Sequence, residues 1–204
     1  MASIKDNNNG NPTTSHIDIV KIVVIGEPRC GKTSFIRAFY DHNDPGDIYS
    51  DNCVTVYPCE FVIKNEHRRA AIFEIPSDMN FPKEQRMPHY ENANVIVFMY
   101  AIDASASLEM LYEKWLPEAA DIIKSNVIPV ALVGTKKDLQ EDQQVIERLS
   151  LQNKKPVSYW EGREFYGKLR SSFNGVVFME CSGNDFEEVH DVFDLIFEYS
   201  LNGE

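Results

Sequence analysis

Residues 26–33 read Gly-Glu-Pro-Arg-Cys-Gly-Lys-Thr, and this stretch decides the fold of the chain. It fits the pattern G-x-x-x-x-G-K-[ST] without a mismatch. A β-rich apolar run over residues 17–25 precedes it, and a helical pattern with Phe35, Ile36 and Phe39 on one face follows it. A glycine-bearing turn between a strand and a helix directs backbone N–H groups and the positive helix end toward phosphate oxygens. The sequence therefore predicts a phosphate-binding loop at the start of the fold.

Each residue type in this loop has a chemical task. Gly31 lets the backbone turn toward the phosphates, Lys32 supplies a positive charge, and the Thr33 hydroxyl is a ligand for Mg²⁺. We expect seven residues, in the loop or directly after it, to hold the phosphates and the metal. They are Gly26, Arg29, Cys30, Gly31, Lys32, Thr33 and Ser34.

The rest of the chain alternates between apolar, strand-like runs and helical segments. Six strands are predicted, over residues 17–25, 54–64, 69–75, 95–102, 127–134 and 175–181. Because several of them are apolar throughout, the pattern favours a mostly parallel sheet with helices on both faces. We predict a single α/β P-loop domain over residues 17–204, preceded by a disordered, asparagine-rich tail over residues 1–16.

Composition excludes several functions for this chain of 204 residues. The net charge of −12 argues against a nucleic-acid-binding protein, which needs a basic surface, and against electrostatic docking on an anionic membrane. No apolar run approaches the roughly 20 residues that cross a bilayer. The four cysteines show no framework spacing, which is typical of reduced thiols in the cytosol.

A second polar segment follows a later strand and carries the features of a base-binding site. Residues 134–138 read Gly-Thr-Lys-Lys-Asp. The Asp138 carboxylate can accept hydrogen bonds from N1–H and the 2-amino group of guanine, whereas adenine offers neither donor. Lys136 can lay its aliphatic stem along the base, and residues 182–183, after the last strand, can offer a backbone N–H to guanine O6. The residues expected at the base are Thr135, Lys136, Asp138, Ser182 and Gly183.

With these motifs the chain resembles the Ras-superfamily small GTPases, and among them the Rho family. The resemblance includes residues 134–138, the sequence Lys-Trp-Leu-Pro-Glu at 114–118 and Glu-Cys-Ser at 180–182. Residues 139–162 are similar to the helical insert of Rho proteins, and the phosphate loop is also similar to that of the mitochondrial Rho (Miro) GTPases. The resemblance implies a Ras-like domain that binds GTP or GDP with Mg²⁺ and acts as a switch in intracellular signalling, including that of the cytoskeleton.

The chain departs from the family pattern after the third strand. Where a typical member reads Asp-Thr-Ala-Gly-Gln, residues 74–78 read Glu-Ile-Pro-Ser-Asp. Glu74 keeps the negative charge beside the metal but is one methylene longer. Ser77, next to Pro76, replaces a mobile glycine, and Asp78 replaces the glutamine that orients the attacking water.

These departures lead us to expect weak hydrolysis of GTP to GDP and phosphate, and we assign no catalytic residue. The alternative is a pseudo-GTPase, a constitutive protein-interaction scaffold in which hydrolysis plays no part.

The resemblance also implies a threonine of the first switch loop that ligates Mg²⁺, and the sequence leaves its position open. Ungapped counting between the motifs reaches Asp51 or Asn52, whereas Thr55 fits the Miro pattern after a short insertion. Thr55 is equally suited to a strand, where threonine is common. The expected metal ligands are Thr33 and, as one of these alternatives, Thr55.

The partner surfaces of the family correspond to residues 41–58 and 74–90. There we expect effector proteins, exchange factors and GTPase-activating proteins to bind. The chain has no C-a-a-X box, polybasic run or myristoylation signal, so no direct lipid anchor is expected. We expect a cytoplasmic monomer that reaches membranes through its partners, or a domain of something longer.

Overall fold

The computed structural model describes residues 19–41, 47–51, 53–78 and 80–201. The predicted tail over residues 1–16 lies outside the described residues. So do residues 42–46 and 52 of the first predicted partner loop and residue 79 of the second. None of the described helices is both long and apolar enough to cross a bilayer.

The described chain alternates between strands and helices. The strands are β1 (Val20–Gly26), β2 (Tyr49–Asp51), β3 (Val54–Ile63), β4 (Glu66–Glu74), β5 (Val95–Ala101), β6 (Val130–Thr135) and β7 (Val176–Glu180). The helices are α1 (Lys32–Tyr40), α2 (Lys83–Tyr90), α3 (Ser105–Met110), α4 (Leu116–Asn126), α5 (Gln143–Ser150), α6 (Tyr159–Ser172) and α7 (Phe186–Ser200). A π-helical turn, Leu111–Trp115, joins α3 to α4, and a 3₁₀ turn, Lys137–Leu139, follows β6.

One sheet contains the seven described strands in the order β2-β3-β4-β1-β5-β6-β7. From β4 to β7 the neighbours are parallel, whereas β2, β3 and β4 pair antiparallel. The predicted α/β fold with a mostly parallel sheet is confirmed, but the predicted count of six strands is one too low. The missing strand is β2, which has three residues, all exposed, so no apolar pattern marks it in the sequence.

The hairpin between β3 and β4 turns more tightly than the sequence indicates. The polar run predicts a turn over residues 65–68, but Ile63 already pairs with Glu66. The two turn residues, Lys64 and Asn65, both have positive φ angles of 50° and 64°. A two-residue turn of this kind matches the twist of the strands that it joins. The polar residues that follow the turn therefore belong to β4.

Both faces of the sheet are buried, which explains the continuous apolar runs. Alternate residues of β5 enter two separate cores, Val95, Val97, Met99 and Ala101 on one face and Ile96, Phe98 and Tyr100 on the other. On the first face α1 packs on α7, where the rings of Phe39 and Phe193 are stacked with their centroids 4.1 Å apart. On the second face Trp115 is fully buried under the helices. Because helices cover both faces of the central strands, the carboxyl ends of those strands are the place where a fold of this kind binds its ligand.

A buried ion pair joins α2 to α4. Arg86 Nε and Nη2 donate to the two carboxylate oxygens of Glu118 at 2.8 and 2.6 Å, and the side chains are 6% and 5% exposed. Tyr90 Oη donates to the same carboxylate at 2.5 Å, and Arg86 also donates to the Phe81 carbonyl. Burial opposes ionisation of Glu118, but the hydrogen bonds from Arg86 and Tyr90 outweigh it and hold the pKa of the carboxyl below its ordinary value.

Replacing Glu118 by alanine leaves the Arg86 charge buried without its partner. We expect the free energy of unfolding, measured by urea denaturation, to fall by about 3–5 kcal/mol. The double variant Arg86→Met/Glu118→Leu removes both charges and is expected to lose much less, because no unpaired charge stays buried.

The matched control is Glu113→Ala, at an exposed glutamate of the adjoining turn, where we expect a change within about 0.5 kcal/mol. Because the pKa of Glu118 is lowered by folding, the contribution of the pair is present above about pH 4.3 and is lost as pH falls through the folded pKa. An equal fall in the free energy of unfolding for Glu118→Ala and Glu113→Ala would contradict this account of the ion pair.

Candidate nucleotide-binding site

The predicted phosphate loop lies between the end of β1 and the start of α1, as the motif requires. Two glycines shape it. A Cβ at Gly26 would lie 2.3 Å from the Met99 carbonyl oxygen, so the loop backbone can approach β5 only without a side chain there. Gly31 has a φ angle of 92° and precedes the first helical residue, a left-handed conformation that favours glycine. The backbone therefore forms a cradle that larger residues would fill or distort.

Lys32 is buried at the mouth of this loop. Its Nζ donates to the carbonyls of Gly26 at 2.9 Å and Glu27 at 3.2 Å, and to the Ser77 hydroxyl at 3.3 Å. The ammonium group thus lies over the loop and also contacts the segment after β4, which belongs to the second predicted partner surface. This is the position at which a bound phosphate would meet the lysine charge.

The Thr135 side chain, at the end of β6, hydrogen-bonds to the backbone of the phosphate loop. Its hydroxyl donates to the Cys30 carbonyl at 2.5 Å and lies 3.0 Å from the Tyr100 carbonyl, and the residue is buried. The sequence predicts Thr135 at the base, but its side chain is engaged with backbone groups of the loop and of β5. Burial raises the pKa of the Cys30 thiol, so this cysteine is a loop-lining residue and not a reactive thiolate.

The two predicted base-side segments meet at the ends of β6 and β7. Asp138 Oδ1 accepts a hydrogen bond from the Ser182 hydroxyl at 2.6 Å, and the Lys137 N–H donates to the Cys181 carbonyl at 3.2 Å. The Ser182 N–H donates to Glu188 Oε2 at 2.9 Å, so it is already engaged within the protein. Asp138 itself is exposed and faces a site edge that solvent or a ligand can reach.

The base-side and phosphate-side residues belong to one continuous surface. A Cβ on Gly183 would lie 3.9 Å from the Cβ of Ser34, so the loop after β7 contacts the first turn of α1. On the other side, Thr135, which belongs to the base-side segment 134–138, hydrogen-bonds to Cys30 of the phosphate loop. Two motifs that are far apart in the sequence are therefore neighbours in the fold, at the carboxyl ends of β1, β6 and β7.

Charged neighbours that the sequence does not reveal hold the base-side residues in place. Lys136, which has a φ angle of 60°, donates through Nζ to Asp103 Oδ1 at 2.9 Å. Arg148 of α5 lies 3.5 Å from the other oxygen of Asp103. Lys137 donates to Glu188 of α7. No pattern in the sequence pairs residues so distant, although the place of Asp103 directly after a buried strand is a weak signal.

On the metal side, Glu74 connects the phosphate loop to the sheet. The Thr33 hydroxyl donates to Glu74 Oε1 at 2.5 Å, and Tyr57 Oη donates to Glu74 Oε2 at 3.0 Å. Burial, and then the neighbouring carboxylate, raises the pKa of Tyr57 to about 12, so this phenol stays a donor. A hydroxyl and a carboxylate in contact at the start of α1 are oxygen ligands of the kind that Mg²⁺ prefers. The residues present therefore fit this metal.

Thr55, the second predicted metal ligand, lies inside β3. Its backbone is paired with Ser50 of β2 on one side and Glu74 of β4 on the other. The structure thus gives it the strand position that the sequence offers as its alternative role. Cross-strand pairing places its side chain on the same face of the sheet as that of Glu74. Its role as a metal ligand stays a prediction.

The segment after β4 carries the departures from the family pattern. The Ile75 N–H donates to the Val24 carbonyl at 3.0 Å and extends the pairing with β1. Ser77 accepts from Lys32, and Asp78 Oδ1 accepts the Asn80 N–H at 2.7 Å. The Asp78 carboxylate therefore closes a local turn and, being an acceptor when ionised, has no N–H to offer a water or a phosphate.

Comparison with known proteins agrees with this geometry. The model of the Ras family matches residues 21–202. The GTP-binding protein RHO1 of Eremothecium gossypii is 29% identical over 183 residues, which cover 90% of this chain and 84% of that protein. The GTP-binding protein rho5 of Schizosaccharomyces pombe is 27% identical over 181 residues, covering 89% and 86%.

A third relative, the GTP-binding protein Rho1 of Kluyveromyces lactis, is 28% identical over 183 residues, covering 90% of this chain and 84% of that protein. The resemblance to mitochondrial Rho proteins stays a prediction. The phosphate loop, the sheet order and these matches together show that the chain belongs to the Ras family of small GTPases and, within it, to the Rho type.

Proposed function

We propose that this chain is a Rho-like GTP/GDP switch that binds its nucleotide with Mg²⁺ and presents residues 41–58 and 74–90 to partners. The proposal rests on one observation: the predicted base-side segments contact the phosphate loop and the start of α1. Thr135 hydrogen-bonds to the phosphate loop at Cys30, and Gly183 lies beside Ser34 at the start of α1. A nucleotide whose phosphates lie in the loop therefore has its base next to Asp138.

Each group at the site has a distinct part in holding the nucleotide. Loop N–H groups and Lys32 hold the phosphates, with Lys32 already oriented by loop carbonyls. Thr33 and Glu74 would hold Mg²⁺, which when bound neutralises charge on the phosphates. Asp138 accepts from the guanine edge, and Lys136, fixed by Asp103, lies along the base.

Binding and hydrolysis are separable in this chain. The binding groups are present, whereas residues 74–78 carry an acceptor, Asp78, at the position that orients the attacking water in relatives. We propose that intrinsic hydrolysis is weak and that a GTPase-activating protein, supplying an arginine, accelerates it. The engaged Asp78 carboxylate also favours the second candidate function, a pseudo-GTPase that serves as a constitutive scaffold.

We propose the following biological setting on the same grounds. Effectors, exchange factors and activating proteins bind the two partner surfaces of a cytoplasmic monomer in intracellular signalling, including that of the cytoskeleton. Partners also recruit it to membranes. The domain spans residues 17–204, with residues 139–162 as a Rho-type insert that contains α5.

Removing the lysine charge tests the phosphate half of the site. For Lys32→Ala we expect the affinity for GDP, measured by titration calorimetry, to fall by at least about 100-fold, the scale of losing hydrogen bonds to a charged group. Lys154→Ala, at an exposed lysine, is the control and should bind as the unmodified protein does. Unchanged affinity of Lys32→Ala would refute the proposed phosphate site.

Removing the base-side carboxylate tests specificity. For Asp138→Ala we expect the preference for GDP over ADP to fall by about 100-fold or more, because nothing then pairs with the guanine donors. Competition of ADP against fluorescent GDP measures the preference. Asp121→Ala, at an exposed aspartate of α4, is the control. A guanine preference that survives in Asp138→Ala would show that another group reads the base.

Single-turnover hydrolysis separates the two candidate functions. We expect GTP loaded on the chain to be hydrolysed at least about tenfold more slowly than on a Rho relative assayed beside it, since Asp78 replaces the glutamine that orients the attacking water. The variant Ser77→Gly/Asp78→Gln should raise the rate. A rate equal to the relative's would contradict weak hydrolysis. Failure to bind GTP with Mg²⁺ at all would favour the scaffold.

A further inference from the structure

A tryptophan outside the predicted site holds the phosphate loop. Trp115 Nε1 donates to Glu27 Oε1 at 2.8 Å, and Lys114 Nζ lies 3.3 Å from the same oxygen. Glu27 is the second residue of the loop motif, and Trp115 ends the π-helical turn between α3 and α4. Such turns are rare and frequently occur at functional sites. The indole is fully buried, so its direction is fixed by packing.

Glu27 connects this contact to the groups that hold the phosphates. Its carbonyl accepts from Lys32 Nζ at 3.2 Å and from the Cys30 N–H at 3.3 Å. The Glu27 side chain therefore contacts Trp115, whereas its backbone carbonyl contacts Lys32 and Cys30. A displacement of the Glu27 carboxylate moves the carbonyl that orients Lys32 and the amide inside the loop.

The Trp115 ring also meets α2, the helix that lies within the second partner surface. The guanidinium carbon of Arg86 lies 5.1 Å from the centre of the Trp115 ring, a cation–π contact. Arg86 is fixed in turn by both oxygens of Glu118 and by the Phe81 carbonyl. The indole thus lies between an arginine of α2 and a glutamate of the phosphate loop.

We propose that Trp115 is a positioning residue that couples α2 to the phosphate loop, so that a partner that displaces α2 loosens the bound nucleotide. The inference rests on the proposed function, since it concerns release of the nucleotide that the site is proposed to bind. The chain of contacts is short: buried Arg86 stacks on buried Trp115, and Trp115 donates to Glu27, which is partly buried. Movement of the arginine is transmitted by contact at each step.

The test measures the dissociation rate of fluorescent GDP with Mg²⁺ by stopped flow. Trp115→Phe keeps a ring but removes the N–H donor, and Glu27→Ala removes the acceptor. Each is expected to raise the rate about tenfold, the scale of one hydrogen bond to a charged group. The double variant should be no faster than the faster single variant, because both remove the same bond. Trp160→Phe, at a ring that is 74% exposed, is the control and should not change the rate.

A second arm tests the link to α2. Arg86→Lys keeps the charge that pairs with Glu118 but loses the planar group over the indole. We expect it to raise the dissociation rate severalfold when Trp115 is present and to add nothing in the Trp115→Phe background. Effects of Arg86→Lys and Trp115→Phe that multiply would overturn the coupling, since they would show that the two residues act separately.

A spectroscopic readout distinguishes positioning from general destabilisation. The chain has two tryptophans, so Trp160→Phe leaves Trp115 as the single emitter. We expect its emission to change when GDP is replaced by a non-hydrolysable GTP analogue, and the change to be lost in Glu27→Ala. If the Trp115 emission is the same with either nucleotide, the coupling inference is overturned while the proposed function stands. Absence of any GDP binding by the unmodified protein would overturn the proposed function and the inference with it.

Discussion

The backbone of the phosphate loop lies directly against the carboxyl ends of two strands, and the rest of the site depends on this close approach. At Gly26 there is no room for a Cβ beside the Met99 carbonyl of β5. At Cys30 the loop carbonyl accepts the Thr135 hydroxyl of β6. Because the loop is fixed to both strands, Lys32 and Thr33 at the start of α1 have defined positions. The sheet therefore supplies the rigidity that a flexible glycine-bearing turn lacks by itself.

The sequence predicts the parts of this protein whose determinants are local. The eight-residue loop motif and the apolar strands are such parts, because each is recognised from neighbours along the chain. The short strand β2 has no apolar pattern, and the tight turn needs positive φ angles at both Lys64 and Asn65, which asparagine tolerates but lysine rarely adopts. Partners such as Trp115 and Glu27, 88 residues apart, meet only through the tertiary fold. The sequence predicts Thr135 at the base, whereas burial in the fold turns its hydroxyl toward the Cys30 and Tyr100 carbonyls.

Glu74 contacts two groups at once at the start of α1 and in the sheet. Its longer side chain reaches the Thr33 hydroxyl with one oxygen and the Tyr57 phenol with the other. Tyr57 is buried in the sheet and remains protonated over the physiological range, so the carboxylate has a permanent donor. The metal side of the site is thus held from the sheet, whereas residues 76–78 hold no comparable link to it beyond the Ser77 contact with Lys32.

The carboxylate of Asp103 receives two cations, Lys136 from the base-side segment and Arg148 from α5. A surface helix usually diverges freely between relatives, because little else depends on its sequence. Here Arg148 of α5 shares a counter-ion with Lys136 of the segment after β6. Among descendants of this chain, substitutions at residues 103, 136 and 148 should therefore be correlated, and the helix should be lost only together with a change at Asp103 or Lys136.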